Sequence, residues 1–381
     1  MSGGIVLAAA GLILFFSLGM PRGVLLSNDI KSRVWPWAPS YPQRPIVAPA
    51  LSDPVWQFVP WLEFARKELF AGRLPLWNPH QDGGVPLLGN GQSALGSPLL
   101  LPALLLGVAH GWNLSLLARI LVALLGAYLW LRDRGRSSIA ASLGALAFAM
   151  SGAFVAWLEH PHTLAAAPVP FLLLFAGRTA ERPAAGSIAG LAIATAVVLL
   201  GGHPETALLA AFLALGVVLA RARSLTGIAS SFGAAILGAS LAAPFLFPFI
   251  EYYAMSSARL GADRHPFVLP LSAVVRFLVP KDSGSHPIEA AATVSLAMLA
   301  LVPFSFGRLR RDRETASFAL AAIACLLLAY ENPISLLLAR TTLVYWTRAL
   351  LFLPLALGYL GSLGLDRLRV RFDDRPAARI A

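Results

Sequence analysis

The chain has 381 residues, of which 57% are hydrophobic and only 13% charged, and its mean hydropathy is +0.70. This balance excludes an ordinary soluble domain and predicts a polytopic membrane protein with a single membrane domain over residues 1–381. The net charge of +11 lies in short arginine clusters between apolar runs, which excludes a nucleic-acid partner, and one cysteine excludes an intrachain disulfide framework.

The first predicted span covers residues 4–20, because no basic residue precedes this apolar run and no cleavage site follows it. A polar loop rich in tryptophan and proline follows over residues 27–97. A membrane protein with short connections elsewhere has no bilayer reason to keep about 70 residues in water, so this loop is predicted to be functional. Within it, Pro54 and Pro60 start an amphipathic helix that ends at Gly72 and is expected to lie on the membrane surface.

Residues 97–110 form an apolar run with two prolines that is too short to span a bilayer, so a re-entrant or interfacial helix is expected there and, similarly, at 331–340. Counting the first span, the sequence predicts about ten membrane spans. The other nine are predicted at 113–131, 138–157, 163–177, 187–201, 206–220, 228–250, 288–307, 315–330 and 342–363. A second long loop covers 251–287.

Every second loop is basic. The arginine clusters lie at 132–136, 178–182, 221–223, 308–313 and 366–375, whereas acids and histidines occupy the loops at 159–162, 202–205 and 251–289. The positive-inside rule assigns the arginine clusters and both termini to the cytoplasm. The histidine-containing loops and the 27–97 loop are therefore predicted to be extracytoplasmic.

Five motifs occur in a fixed order along the chain. They are SDPVWQFVPW (52–61), AGRLPLWNPHQDGGVPLLGNGQSALGSPLLL (71–101), SGAFVAWLEHPH (151–162), GGHPET (201–206) and WTRALLFLPLALGYLGSLGLDRL (346–368). In order and approximate spacing they resemble the YfhO-type bacterial membrane proteins, which are similar to GT-C glycosyltransferases. Members of that family are usually much longer, so the chain resembles their N-terminal core.

The resemblance implies an all-α, GT-C-like helical bundle in the bacterial inner membrane. It further implies an inverting glycosyltransferase that moves a sugar from a polyprenyl-phosphate donor to a cell-envelope glycan or glycolipid on the outer face. An acid in the first outer loop acts near the acceptor in such enzymes, and Asp53 is the matching residue. It would serve as general base toward the acceptor hydroxyl. The alternative is that Asp53 only caps the helix begun by Pro54.

Other polar residues of the outer loops are candidates for binding the substrate. Those at 159–205 are expected to converge with Asp53 because they lie at the ends of neighbouring spans. The full set of substrate-binding candidates is Gln57, Asn78, His80, Gln92, Glu159, His162, His203 and Glu205, with His160 beside them. Some GT-C enzymes share a divalent cation between outer loops, and Asp53, Glu159 and His162 are the candidate ligands here. Solvated caps and turn stabilisation are the alternative roles for these side chains.

Arginines near the membrane are candidates for binding the donor phosphate, because a guanidinium can donate two parallel N–H hydrogen bonds to it. The candidates are Arg119, Arg340, Arg348 and Lys281. Snorkelling to lipid head groups is the alternative. Two other functions also stay open: a transporter or flippase of lipid-linked sugars, and a non-catalytic subunit of glycan assembly. A transporter is expected to carry ionisable residues at mid-membrane on broken helices, and only Arg119 comes close to that position.

Overall fold

A computed structural model describes residues 11, 23–26, 28–40, 51–257, 267–277, 289, 291, 293–342 and 344–373. The predicted first span, Gly11 apart, and the candidate phosphate ligand Lys281 lie outside these residues. The fold is mostly helical, as the sequence predicts for an all-α membrane protein.

The helices of the described residues are numbered in chain order. They are α1 (Val59–Phe70), α2 (Leu101–Asp133), α3 (Ser138–Ala149), α4 (Gly152–Ala156), α5 (Pro161–Ala166), α6 (Val169–Glu181), α7 (Ala185–Leu200), α8 (Pro204–Arg221), α9 (Leu225–Met255), α10 (Leu296–Leu301), α11 (Arg313–Ala329), α12 (Pro333–Thr341) and α13 (Leu353–Asp373). A hairpin pairs β1 (Trp77–Asn78) with β2 (Val85–Pro86), antiparallel. Short 3₁₀ turns lie at Asn28–Arg33, Ala38–Ser40, Gly91–Ser93, Pro98–Leu100, Leu271–Phe277, Val302–Arg308 and Trp346–Leu351, and Pro54–Phe58 is a π turn.

Within the described ranges, five helical segments are long and apolar enough to cross a membrane. They are Pro98–Asp133, Pro161–Glu181, Pro204–Arg221, Leu225–Met255 and Trp346–Val370. Three shorter apolar helices accompany them at Ser138–Ala149, Ala185–Leu200 and Leu296–Arg308. The prediction of a membrane protein is thus confirmed, whereas the count of about ten spans stays a prediction. The span expected at 138–157 is interrupted, because the Ser151 hydroxyl accepts the backbone N–H of Phe154 and starts α4 anew.

The long helix α2 is broken near its beginning. Gly107 has φ 74° and ψ 175°, a conformation that only glycine adopts without strain, so residues 98–106 form a helix distinct from the one that follows. Glu63 of α1 caps the new start by accepting the backbone N–H of Val108 at 3.0 Å. The break falls inside the run 97–110, for which the sequence predicts a short re-entrant or interfacial helix.

The interior of the bundle is held by aromatic side chains from three distant helices. Trp130 of α2, Phe318 of α11 and Tyr359 of α13 are almost fully buried, and their ring centroids lie 4.4 to 5.4 Å apart. Each such contact contributes about 0.5–1.5 kcal/mol beyond the area it buries. They join the first half of the chain to its last third.

One end of the bundle carries a network of ion pairs, which we call the arginine end. Arg178 binds Asp133 at 2.7 Å, and the neighbouring Arg134 lies 3.5 Å from Glu314. Glu314 also lies 3.3 Å from Arg221, whose guanidinium binds Glu181 as well. The network ties together the last turns of α2, α6 and α8 and the first turn of α11. The predicted basic loops therefore meet at one end of the bundle.

Candidate active site

Near the first residues of α5 and α8, opposite the arginines at the last turns of α6 and α8, four side chains form a stacked column. Arg348 lies with its guanidinium carbon 4.2 Å from the centroid of the Trp157 ring. Trp157 stacks on His162 at 4.2 Å between centroids, and His162 lies 3.7 Å from His203. We call this set the histidine column and this part of the molecule the histidine end. It joins three segments far apart in sequence.

Two His-Pro pairs place the imidazoles of the column. Pro161 begins α5 and Pro204 begins α8, since proline fits the first turn of a helix, where its missing N–H costs nothing. His203 caps α8: its Nδ1 accepts the backbone N–H of Thr206 at 3.2 Å and lies 2.8 Å from the Thr206 hydroxyl. An Nδ1 that accepts a backbone N–H carries no proton of its own, so the proton of a neutral His203 lies on Nε2.

Arg119 of α2 holds the loop that carries the column. Its side chain is buried, and Nη1 donates to the carbonyl oxygens of Leu158 at 2.5 Å and His160 at 3.0 Å. The Thr163 hydroxyl lies 3.3 Å from the same nitrogen. A buried guanidinium needs several acceptors, and here the loop supplies them. Arg119 is a candidate for phosphate binding, but its Nη1 already binds the backbone between Trp157 and His162.

Asp53 lies beside the histidine column. Its Oδ2 is 3.9 Å from Nε2 of His160, and its side chain is half exposed. The ring of His160 in turn meets Phe58 and Trp157 edge-on. In the part of the chain that is described, Asp53 makes no side-chain capping hydrogen bond to the turn begun by Pro54. The geometry therefore gives no support to the alternative that this carboxylate serves only as a helix cap.

Burial determines the charge states at this end. Partial burial raises the pKa of the Asp53 carboxyl, and the charge of Arg348 opposes that rise. Burial and the charges of Arg348 and Arg119 lower the pKa of His160 to about 3. Burial, Arg348 and His160 likewise lower the pKa of His203 to about 3. The site at neutral pH thus combines a carboxylate that is a stronger base than usual with uncharged imidazoles.

A narrow cleft at the Arg348 side is lined by Trp157, His162, Glu289, Thr347 and Arg348. Arg348 binds Glu289 at 2.8 Å through Nη2, and the Thr347 hydroxyl donates to the other oxygen of Glu289 at 3.4 Å. Burial raises the pKa of Glu289, while Arg348 and Thr347 oppose that rise. Among the described residues, Nε and Nη1 of Arg348 are buried without a hydrogen-bond partner. Both are hydrogen-bond donors, and the cleft beside them, with a volume of about 10 Å³, has room for about one water molecule.

The remaining predicted site residues are divided among three places. Glu205 lies near the column, where its Oε1 accepts the backbone N–H of Tyr345 at 3.0 Å. Gln92 and Glu159 share a small pocket with Arg119. Asn78 and His80 belong to the β-hairpin: the Asn78 oxygen accepts the His80 N–H at 3.0 Å, and the His80 ring packs edge-on against Phe64.

Two further candidates stand apart from these groups. Gln57 is half-buried in the π turn after Asp53, and Arg340 is exposed in the last turn of α12. Their predicted roles in sugar and phosphate binding stay predictions.

Sequence reasoning missed Glu289 and Trp157. Glu289 carried a usable signal, because a His-Pro pair precedes it at 286–287 just as such pairs occur at 160–161 and 203–204. Trp157 carried none, since a tryptophan at a helix end is as readily a membrane-interface anchor.

The predicted divalent-cation ligands do not meet. Asp53 faces His160, whereas Glu159 lines the pocket with Arg119. Across the described ranges, no three carboxylate, thiolate or imidazole groups converge as metal ligands would. A shared divalent cation stays a prediction.

Comparisons with protein-family models, with curated proteins and with solved structures found no match for this chain.

Proposed function

We propose that this chain is a membrane glycosyltransferase of the GT-C type. It would transfer a sugar from a polyprenyl-phosphate donor to a cell-envelope glycan or glycolipid on the outer face of the bacterial inner membrane. The observation that carries the proposal is the meeting of Asp53, the neutral histidines and Arg348 at one end of the bundle. The ordered motifs that resemble YfhO-type proteins support the same function.

In the proposed reaction, the acceptor hydroxyl attacks the anomeric carbon of the donor sugar. Its proton passes to the Asp53 carboxylate, and the bond between the anomeric carbon and the phosphate oxygen breaks. The polyprenyl phosphate leaves with the bonding electrons. One displacement with one base inverts the configuration at the anomeric carbon.

Arg348 would bind the phosphate, because two of its nitrogens have no hydrogen-bond partner among the described residues. A neutral imidazole donates through one ring nitrogen and accepts through the other, as sugar hydroxyls require. His162 can do both, and His203 can donate through Nε2, because its Nδ1 already accepts a backbone N–H. His162 and His203 are therefore proposed to hold the sugar, and the orientation of His160 beside Asp53 would keep the carboxylate in place.

The test is transfer by purified protein in liposomes, with a polyprenyl-phosphate sugar labelled at its anomeric carbon. The proposal expects a new glycosidic bond of inverted configuration, detected by NMR of the product. Movement of the labelled lipid across the bilayer without a new bond would instead identify a flippase. Retention of the anomeric configuration would contradict a single displacement at Asp53.

A further inference from the structure

A continuous apolar groove runs along the bundle beside the histidine column. Helix α9 packs mainly against α7 and α6, and α8 packs mainly against α6 and α11, so α8 and α9 hardly contact each other and a cleft is left between them. The cleft consists of two cavities of about 260 Å³ and about 300 Å³. Leu199, Ala207 and Ala211 line both, so the two are parts of one groove.

The groove is long enough for one lipid chain. Its lining on α8 extends from Pro204 to Val218, which corresponds to about 21 Å at 1.5 Å per residue. Half the hydrocarbon core of a bilayer is about 15 Å thick. Of the helices that form its walls, α8 and α9 are long and apolar enough to span a membrane, and α7 is a shorter apolar helix.

One end of the groove lies next to the histidine column. Pro204, which lines it, directly follows His203, and the turn containing Asn90 and Ser93 closes the same end. This turn is packed tightly on the column's own loop: a Cβ added at Gly202 would lie 2.3 Å from the Gly91 carbonyl oxygen. A lipid in the groove would therefore have its head group beside His203.

The charge of the groove decides which lipid fits. All of its lining residues are uncharged, and the polar side chains at the end beside His203 are those of Asn90 and Ser93. A phosphate placed there would lack a counter-charge, which a phosphate in a membrane site requires. The cationic Arg348 lies at the other end of the column. Amide and hydroxyl groups suit the hydroxyls of a neutral sugar head group.

We propose that this groove binds the hydrocarbon chain of a neutral glycolipid, which is the acceptor of the transfer reaction. This rests on the proposed function and narrows it: the acceptor is lipid-anchored, and donor and acceptor approach the histidine column from opposite sides. The donor phosphate binds at Arg348, and the acceptor hydroxyl enters past His203.

Photocrosslinking tests the proposal without depending on turnover. Three probes carry the same diazirine in a hydrocarbon chain: a monoglycosyl diacylglycerol, a polyprenyl phosphate and a phosphatidylglycerol. With the full chain in nanodiscs, we expect the glycolipid probe to label the peptides of α8 and α9 in preference to the other two. Ala211→Trp should reduce that labelling roughly tenfold, because an indole overfills the groove. The matched control is Leu219→Trp, on the same helix but outside the groove lining, which should leave the labelling unchanged.

Preferential labelling of the groove by the polyprenyl phosphate would overturn the proposal, as would equal labelling by phosphatidylglycerol or equal effects of the two tryptophan variants. Asp53→Asn should be labelled like the wild type. A wild-type protein that is labelled in the groove but forms no glycosidic bond would refute the proposed function while leaving the glycolipid site in place.

Discussion

The two ends of the bundle differ in the charge of their buried side chains. At the arginine end, Glu314 and Arg134 each have an exposed side-chain fraction of 1%, and each lies close to an opposite charge. At the histidine end, the buried imidazoles are neutral, and in the described part of the chain both ring nitrogens of His162 lack hydrogen-bond partners. Buried atoms without a hydrogen-bond partner among the described residues occur at both ends, since Arg134 and Glu314 have them as well. The two ends therefore differ in charge: opposite charges lie close together at the first, whereas the buried imidazoles of the second are neutral. On the proposed function, the ion pairs of the first end stabilise the fold and the neutral groups of the second bind substrate.

The largest expected effect concerns the sidedness of the two ends. Reporter fusions after Arg136, Arg182 and Arg223 should read cytoplasmic, and fusions at His80 and His203 should read outside, because arginine clusters stay on the cytoplasmic side. Each fusion reports either the cytoplasmic or the outer side, so the expected difference is complete. The same side for His80 and Arg136 would show that residues 97–110 cross the membrane.

Removing one charge from the arginine end should strongly destabilise the protein. Glu314→Gln removes a buried counter-ion that Arg134 and Arg221 share and leaves Arg134 with Asp133 alone. Breaking a buried ion pair typically costs about 3–5 kcal/mol. Arg223→Gln is the matched control, since Arg223 is largely exposed and its loss should cost less than about 1 kcal/mol. Thermal unfolding in detergent measures both. Equal melting temperatures for the two variants would contradict a stabilising role for the buried network.

Substitution of Arg348 should weaken donor binding without unfolding the protein. Loss of a charge-assisted hydrogen bond costs roughly 1.5–3 kcal/mol, or about 10- to 150-fold in affinity. Arg348→Ala should show that loss in the KM for the donor, and Arg348→Lys a smaller one, because lysine keeps the charge but not the geometry. Arg340→Ala should change KM less, since Arg340 is exposed. An unchanged KM in Arg348→Ala would remove it as a phosphate ligand.

The neutral histidines should make stability depend on pH. Unfolded histidines bind protons below about pH 6.5, whereas the pKa of both His160 and His203 in the folded protein is about 3. The free energy of unfolding therefore does not depend on the titration of these two histidines above pH 6.5. It declines as the pH falls toward 3, by about 1.4 kcal/mol per pH unit for each histidine. Melting curves between pH 7.5 and 5 should show the slope, and His203→Gln should flatten it. The matched control is His80→Gln, which should leave the slope unchanged because His80 is exposed.

Features that depend on local sequence patterns could be predicted, whereas contacts between distant segments could not. Arginine clusters in alternate loops predicted that Arg134, Arg178 and Arg221 would lie at one end, because helix direction alternates along the chain. The position of His162 and His203 at the ends of neighbouring predicted spans indicated that they would meet. The pairing of Arg348 with Glu289 could not be predicted, since it depends on how two distant loops pack.

Helix length also limited the prediction of spans. The break at Gly107 lies in a run whose length and prolines already indicated a short helix. In contrast, α3 and α7 have only 12 and 16 residues. Both are shorter than the roughly 20 residues that a membrane span usually needs, and the sequence did not show where the predicted span 138–157 would be shortened.

The most direct test of the central claim is sugar transfer by the Asp53→Asn variant. Removal of a general base typically lowers the rate by about 100- to 10,000-fold. Because the carboxylate makes no capping hydrogen bond within the described residues, the substitution should leave the melting temperature near that of the wild type. The account predicts lost transfer from the labelled polyprenyl-phosphate sugar with unchanged stability. Near-normal transfer by a stable Asp53→Asn protein would contradict it.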